Sequence, residues 1–172
     1  MEIAIVGTKS LRIKSKNTSF IVNPEKSREA GSRSAGKIDD PVVILTSKPE
    51  DYQNFAGKIV IDAPGDFETA GVSIKGEAHD NGITFDFLEE GQRLVILSSP
   101  SAAKSKEIED ATAVVAFLKG TADGISEIAC EIVAVVGEVE NLPADKSNIK
   151  KSDKINLKRA EEYKGFIVHL SK

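Results

Sequence analysis

Residues 59–76 constrain the fold most. They run Ile59-Val60-Ile61, Asp62-Ala63-Pro64-Gly65, Asp66-Phe67-Glu68, Thr69-Ala70-Gly71 and Val72-Ser73-Ile74-Lys75-Gly76. The order is strand, Pro-Gly turn, an aromatic residue between two acids, glycine, strand, glycine. Short β-branched runs broken by turn residues suit the strands of a sheet.

The same texture covers much of the chain. Strands are predicted over 2–6, 10–14, 19–22, 42–45, 58–62, 72–77, 83–88, 93–98, 113–117 and 132–136, and near 154–158 and 165–170. Glu89-Glu90-Gly91-Gln92 reads as a hairpin turn. Pro49 to Phe55 suits a short helix capped by Ser47, and Thr121 to Cys130 suits another. Pro24 to Asp40 is polar and rich in Gly and Ser, and Glu25 to Lys37 is expected to be a mobile loop. Aromatic residues make up only 5% of 172 and Trp is absent, so the core must be built of Val, Ile, Leu and Ala. Hairpins first, then helix–strand alternation, point to an α/β layered sandwich in a single domain over 1–172, not a doubly wound sheet. No Gly-rich phosphate loop follows a strand.

Several function classes are disfavoured. The longest apolar runs, such as Ala113 to Leu118, are far too short to span a bilayer. Met1-Glu2-Ile3-Ala4-Ile5-Val6 has no basic region before its apolar residues, so no signal peptide is readable. Cys130 is the single cysteine, which excludes an internal disulfide and a Cys-rich metal site. A cytoplasmic location without membrane contact is therefore expected. The net charge of -4 gives no overall basic field, and nucleic acid is an unlikely partner. Lys146 to Arg159 is a local basic segment, read as a lysine-protected edge because aromatic residues for base stacking are not interleaved with it.

Five segments in chain order resemble the metallo-β-lactamase superfamily, in its branch of small metal-dependent hydrolases. Pro64-Gly65-Asp66-Phe67-Glu68 with Gly71-Val72-Ser73-Ile74-Lys75-Gly76 resembles that group's "PGEYE…GV.I.G". Val6-Gly7-Thr8-Lys9-Ser10-Leu11 is similar to its opening "strand-G-H-S", with Thr8 in the place of His, and Ile21-Val22-Asn23-Pro24 to its "I-D-P", with Asn23 for Asp. Thr46 to Tyr52 resembles "T-H-x-H-x-D-H": Thr46 and Asp51 survive, while Ser47, Pro49 and Tyr52 replace the histidines. Further on, Ser99 stands for the bridging Asp and Gly137 for the last ligand His.

The resemblance implies an αββα sandwich and argues against the chemistry usual on it. Family histidines ligate Zn²⁺ or Mn²⁺ as neutral imidazoles. Serine and proline cannot stand in for them, and the whole chain has two histidines, His79 and His169. The polar residues expected near the former active-site face are Asp51, Asp62, Asp66, Glu68 and His79. As a site they form a residual acid/base or weak metal cluster of Asp51, Asp66, Glu68 and His79. In the preferred, plainer reading they cap a helix, bond turn amides and face solvent, with no catalytic residue, metal or cofactor. His169 reads as a sheet residue with one wet face, and Cys130 as a structural thiol at a helix end. Ser98-Ser99 lacks the G-x-S-x-G elbow of a serine nucleophile.

The function expected is binding or assembly by a metal-free protein of this fold. The alternative is a divergent hydrolase with a mononuclear or rebuilt site around Asp51, Asp66 and His79. Exposed sheet edges favour a homo-oligomer, most simply a dimer. Other partners expected are a protein or a small molecule.

Overall fold

Alternation of buried and exposed side chains builds most of the structure. It is a computed structural model that describes residues 1–25, 41–47, 55, 57–80, 82–105, 108–118, 125, 128–137 and 148–172. In β2 (Leu11–Lys14) Leu11 and Ile13 face the core while Arg12 and Lys14 face solvent. In β7 (Val72–His79) Val72, Ile74 and Gly76 turn inward. Other strands are apolar on both faces. All five residues of β10 (Ala113–Phe117) are buried, as are the three of β4 (Val42–Ile44). Such strands need cover above and below the sheet, which a layered sandwich supplies.

The remaining strands are β1 (Glu2–Ile5), β3 (Ser19–Val22), β5 (Ile59–Ile61), β6 (Gly65–Thr69), β8 (Gly82–Glu89), β9 (Gln92–Leu97), β11 (Ile132–Val136), β12 (Ile149–Ser152), β13 (Lys154–Asn156) and β14 (Ile167–Leu170). They form two sheets. One has six strands in the order β13-β1-β2-β3-β4-β5, the other eight in the order β12-β14-β11-β10-β9-β8-β7-β6. Strands β3, β4 and β5 are parallel to one another, as are β9, β10, β11, β14 and β12. The hairpins are antiparallel. Ala70-Gly71 closes β6–β7 and Glu90-Gly91 closes β8–β9, each with both central residues at positive φ, as two-residue hairpins require.

The central core lies between the sheets. Phe20 from the six-stranded sheet meets Phe87 from the eight-stranded one edge to face, 5.4 Å between centroids. The outer faces are also covered. Ala102, Ala103, Ile108, Ala111 and Ile128 pack on Val95, Leu97, Val114 and Ala116, and Phe55 packs with Ile21, Val43 and Leu45 on the opposite side. The turn at Pro100–Ser105 that covers the first of these faces is 3-10 in character, as is Leu157–Tyr163, whose Leu157 and Tyr163 belong to the central core. No helix among the described residues is long and apolar enough to cross a membrane.

Some sequence expectations needed correction. Asp66-Phe67-Glu68 is not a connection but the middle of β6. Phe67 packs against the core while Asp66 and Glu68 stay exposed, so the period of two is real but carried by acids that strands seldom use. Ile149–Ser152 forms β12, which lysines concealed. Ile128, Ala129 and Cys130 lie outside any helix, and Leu157 begins a 3-10 turn instead of ending a strand. The expected helix over Pro49 to Phe55 lies outside the described residues except Phe55, and so does the Glu25 to Lys37 loop except Glu25.

The sheets are pinned together at one end. Ile83 N–H donates to the Thr46 carbonyl at 2.7 Å, joining β8 to the residues after β4. Gly82 makes this approach feasible. Its φ is +134°, and a Cβ there would sit 2.2 Å from the Thr46 oxygen. Gly71, at φ +84°, has open space around it. Gly82→Ala is therefore expected to cost about 3 kcal/mol or more, by backbone clash and loss of the junction, against about 1 kcal/mol for Gly71→Ala. Urea unfolding of both variants checks the difference, and equal midpoints would refute the role of the junction.

Cys130 gives a second expectation. Its Sγ–H donates to the Ile132 carbonyl at 3.0 Å, and burial pushes the thiol up to about 11. At pH 8 almost none of it is thiolate, so a disulfide reagent should label the native protein much more slowly than the urea-unfolded one, and the native rate should climb toward pH 11. Equal native and unfolded rates at pH 8 would contradict the half-buried placement.

Candidate functional site

Strand direction decides where the motif residues gather. Strand β7 is antiparallel to β8, which is antiparallel to β9, so β7 and β9 end at the same side. The Thr46–Ile83 bond brings the end of β4 to that side. The chain after β1 joins the chain after β14 there too, because Lys172 Nζ donates to the Val6 carbonyl at 2.8 Å. Thr8, Asn23, Thr46, Ser47, His79, Ser98, Ser99 and Gly137 all lie at or just beyond these carboxyl ends. Positions up to 129 apart in sequence thus share one rim, as the order of resembling segments implies.

The rim has a rigid frame. Asn23 adopts φ +48°. Its Nδ2 donates to Thr46 Oγ1 at 2.9 Å, and its Oδ1 accepts from Thr46 N–H at 3.0 Å. Ser10 Oγ donates to the Asn23 carbonyl at 2.7 Å and accepts from Glu25 N–H at 2.9 Å. An amide serves here as well as an acid, because it offers a donor and an acceptor to one threonine.

Ser47, Ser99 and Gly137, the described positions that resemble ligand positions, do not fit a metal. Ser47 is exposed and ends in a neutral hydroxyl. Ser99 Oγ bonds Ser101 Oγ at 2.9 Å. Gly137 has no side chain, and its carbonyl contacts His169 Nε2 at 3.0 Å. Neutral hydroxyls and an engaged carbonyl do not make the imidazole and carboxylate set that zinc takes. Among the described residues, no three or more His, Cys, Asp or Glu side chains form a group able to hold a metal ion.

The four candidate residues are divided by the structure. His79 ends β7 opposite Gly82, half-buried on the rim. Asp66 and Glu68 line a different depression, a groove of about 760 Å³ on the outer face of β6–β9 with Lys75, Asp86, Leu88 and Arg93. There Arg93 grips Asp86 through Nε and Nη2, the shortest contact 2.7 Å, and also pairs with Asp110. The bond to Asp86 is the main reason that the Arg93 pKa is raised. Asp51 lies outside the described residues. Asp66, Glu68 and His79 are therefore not assembled around one point.

A cleft of about 520 Å³ at the rim went unrecognised in the sequence. Thr8, Lys9, Glu25, Gly137, His169 and Lys172 are among its walls. Thr8 and Gly137 were visible as motif positions. His169 was not, because only the parallel register of β11 with β14, Val135 beside His169, carries it to Gly137. Burial lowers the His169 pKa first, the bond to Gly137 works against this, and Lys151 lowers it further. The imidazole is thus biased to its neutral form. Facing a carbonyl, it then holds its proton on Nε2.

No protein-family model matches the sequence, and no curated protein does. Solved structures do. A protein from Thermotoga maritima, described as a Zn-dependent hydrolase of the metallo-β-lactamase superfamily, superposes with a TM-score of 0.69 at 15% identity, over 98% of this chain and 98% of that one. The metallo-β-lactamase fold protein YhfI from Bacillus subtilis superposes with a TM-score of 0.53 at 12% identity, over 99% of this chain and 96% of that one. Two mixed sheets packed face to face, motif positions on one rim and near-complete overlap lead to one conclusion: this chain has the metallo-β-lactamase fold.

Proposed function

We propose that this protein uses the metallo-β-lactamase fold for binding and not for metal-dependent hydrolysis. One observation carries the reading. The described positions that resemble ligand positions hold Ser47, Ser99 and Gly137, and two of these have their polar groups engaged within the protein. A hydrolytic metal needs at least three protein ligands and an open position that lowers the pKa of a bound water. The rim keeps the frame of Asn23 and Thr46 but, among the described residues, offers no such set.

What the rim offers is a polar cleft. Lys9, Lys172, Glu25, Thr8 and neutral His169 present cations, an anion, a hydroxyl and an imidazole around about 520 Å³. That volume suits a small polar molecule or the side chain of a protein partner. Turnover would need a nucleophile activated by an adjacent base. Thr8 stands in no nucleophile elbow, and His169 Nε2 is turned to the Gly137 carbonyl.

Purified protein is expected to contain no stoichiometric zinc, manganese or iron by elemental analysis. Chelator should leave its thermal midpoint unchanged, since a metal bound to the native state alone would add stability by linkage. Phosphodiester and lactone substrates with added Zn²⁺ or Mn²⁺ should show no turnover above a buffer control. Tightly bound metal near one equivalent, with hydrolysis abolished by His79→Ala, would replace this reading with that of a rebuilt hydrolase.

A further inference from the structure

A β-sandwich has four sheet edges, and here they differ in chemistry. Edge strand β6 carries Asp66 and Glu68, so two-fold pairing centred on Phe67 would set acid against acid. At β12, the same operation would set Lys150 against Lys151. The outward carbonyl of β13 is occupied, since Lys154 O accepts from Ser152 Oγ at 2.5 Å and from Tyr163 Oη at 3.5 Å. Edge β5 is different. It is Ile59-Val60-Ile61, it pairs only with β4 among the described residues, and Ile59 is 58% exposed. A short apolar edge without a blocking charge is open to another strand.

The backbone of β5 is set for such a contact. Ile59 N–H donates to Pro41 O at 3.2 Å, and Ile61 O accepts from Leu45 N–H at 3.0 Å, so Ile59 and Ile61 spend their polar groups on β4. By alternation, the N–H and C=O of Val60 point away from β4, to an edge that no described residue pairs with. We propose that β5 is the contact surface for a second copy of this chain, paired antiparallel about a two-fold axis at Val60.

The sequence around β5 is self-complementary in that register. The run Lys58-Ile59-Val60-Ile61-Asp62 sets Val60 opposite Val60 of the partner subunit, and each Val60 exchanges both backbone bonds with the other. Ile59 falls opposite Ile61 of the partner subunit in the closer, non-hydrogen-bonded pair, which covers its exposed face. Lys58 falls opposite Asp62 of the partner subunit, and symmetry makes this charge pair twice. Sliding the register by two residues would lose both matches. The contact is small for a protein interface, so dissociation in the range of about 10–100 µM is expected. The inference stands apart from the proposed absence of hydrolysis, because β5 contributes nothing to the rim cleft.

Sedimentation equilibrium up to about 300 µM tests it. Wild type is expected to shift from 18.4 kDa toward twice that mass. Val60→Pro removes the outward N–H but no bond to β4, and should fold and remain monomeric, with its thermal midpoint lowered only by lost packing on Ile21, Val43 and Leu45. Ile59→Glu, at an exposed position, serves the same purpose if the proline variant does not fold. Asp62→Lys and Lys58→Asp each set like charges in opposition twice, and each should weaken self-association roughly tenfold. Mixed together, the two should form a heterodimer at about wild-type strength, since both oppositions become Lys against Asp. A wild type that stays at monomer mass overturns the proposal. So does a dimer that folded Val60→Pro or Ile59→Glu leaves intact, or single charge variants whose mixing restores nothing.

Discussion

The backbone contact between Thr46 and Ile83 is the constraint on which the arrangement of this protein depends. Each sheet could form its ladders alone, but a sandwich needs a fixed relation between its sheets. The apolar core supplies attraction without direction. Direction comes from specific contacts: Phe20 on Phe87, Lys16 N–H on Glu89 Oε1 at one end, and at the other a backbone hydrogen bond at 2.7 Å between the end of β4 and the start of β8. The bond fits only because residue 82 has no side chain, with the Thr46 carbonyl where its Cβ would be. Through it, the carboxyl ends of both sheets form one rim, and residues distant in sequence become neighbours.

The same rim shows which part of the strand ends is structural. Metal ligands in a sandwich stand beyond the strand ends, outside the packed core, so replacing them removes little buried apolar area. What cannot be given up is the backbone path that carries them. Here that path is held by Asn23 and Thr46, locked to each other by three hydrogen bonds and tied to Ser10. A half-buried, satisfied network of this kind rigidifies a turn whatever chemistry occurs beside it. Thr46 is buried in this frame, whereas Ser47 beside it faces solvent.

Much of the fold was legible because its signals are local. Hydrophobic runs with a period of two, or none, located most strands within a residue or two, and Glu90-Gly91 announced its hairpin. The strands missed were β6 and β12, both at sheet edges, where acids or lysines replace the usual residues to keep the edge soluble. The candidate site was less legible. Asp66 and Glu68 follow the Pro-Gly pair and were grouped with His79, yet a strand of period two turns them to the outer face, while His79 ends the neighbouring strand at the rim. His169 was set aside as a sheet residue. That is correct for its strand but silent about Gly137, since parallel register between β11 and β14 is a long-range property.

Charge on this surface is placed where it closes options. Arg93 joins Asp86 and Asp110 across the outer face of the eight-stranded sheet, and the shortest contact to Asp86, at 2.7 Å, ties β8 to β9 side by side. Lys150 covers Tyr163 at 4.7 Å from the ring centroid and donates to the Glu162 carbonyl, so a basic edge residue also secures the turn packed beside it. Acids hold one edge of that sheet and lysines the other, which discourages each from pairing with its own kind. Against this pattern, the three apolar residues of β5 are the exception, and flanking charges of opposite sign make them selective. An edge designed only to avoid contact would carry one sign throughout. Lys58 and Asp62 on either side of an isoleucine-rich centre instead favour one partner orientation and disfavour the parallel one, which would set lysine beside lysine.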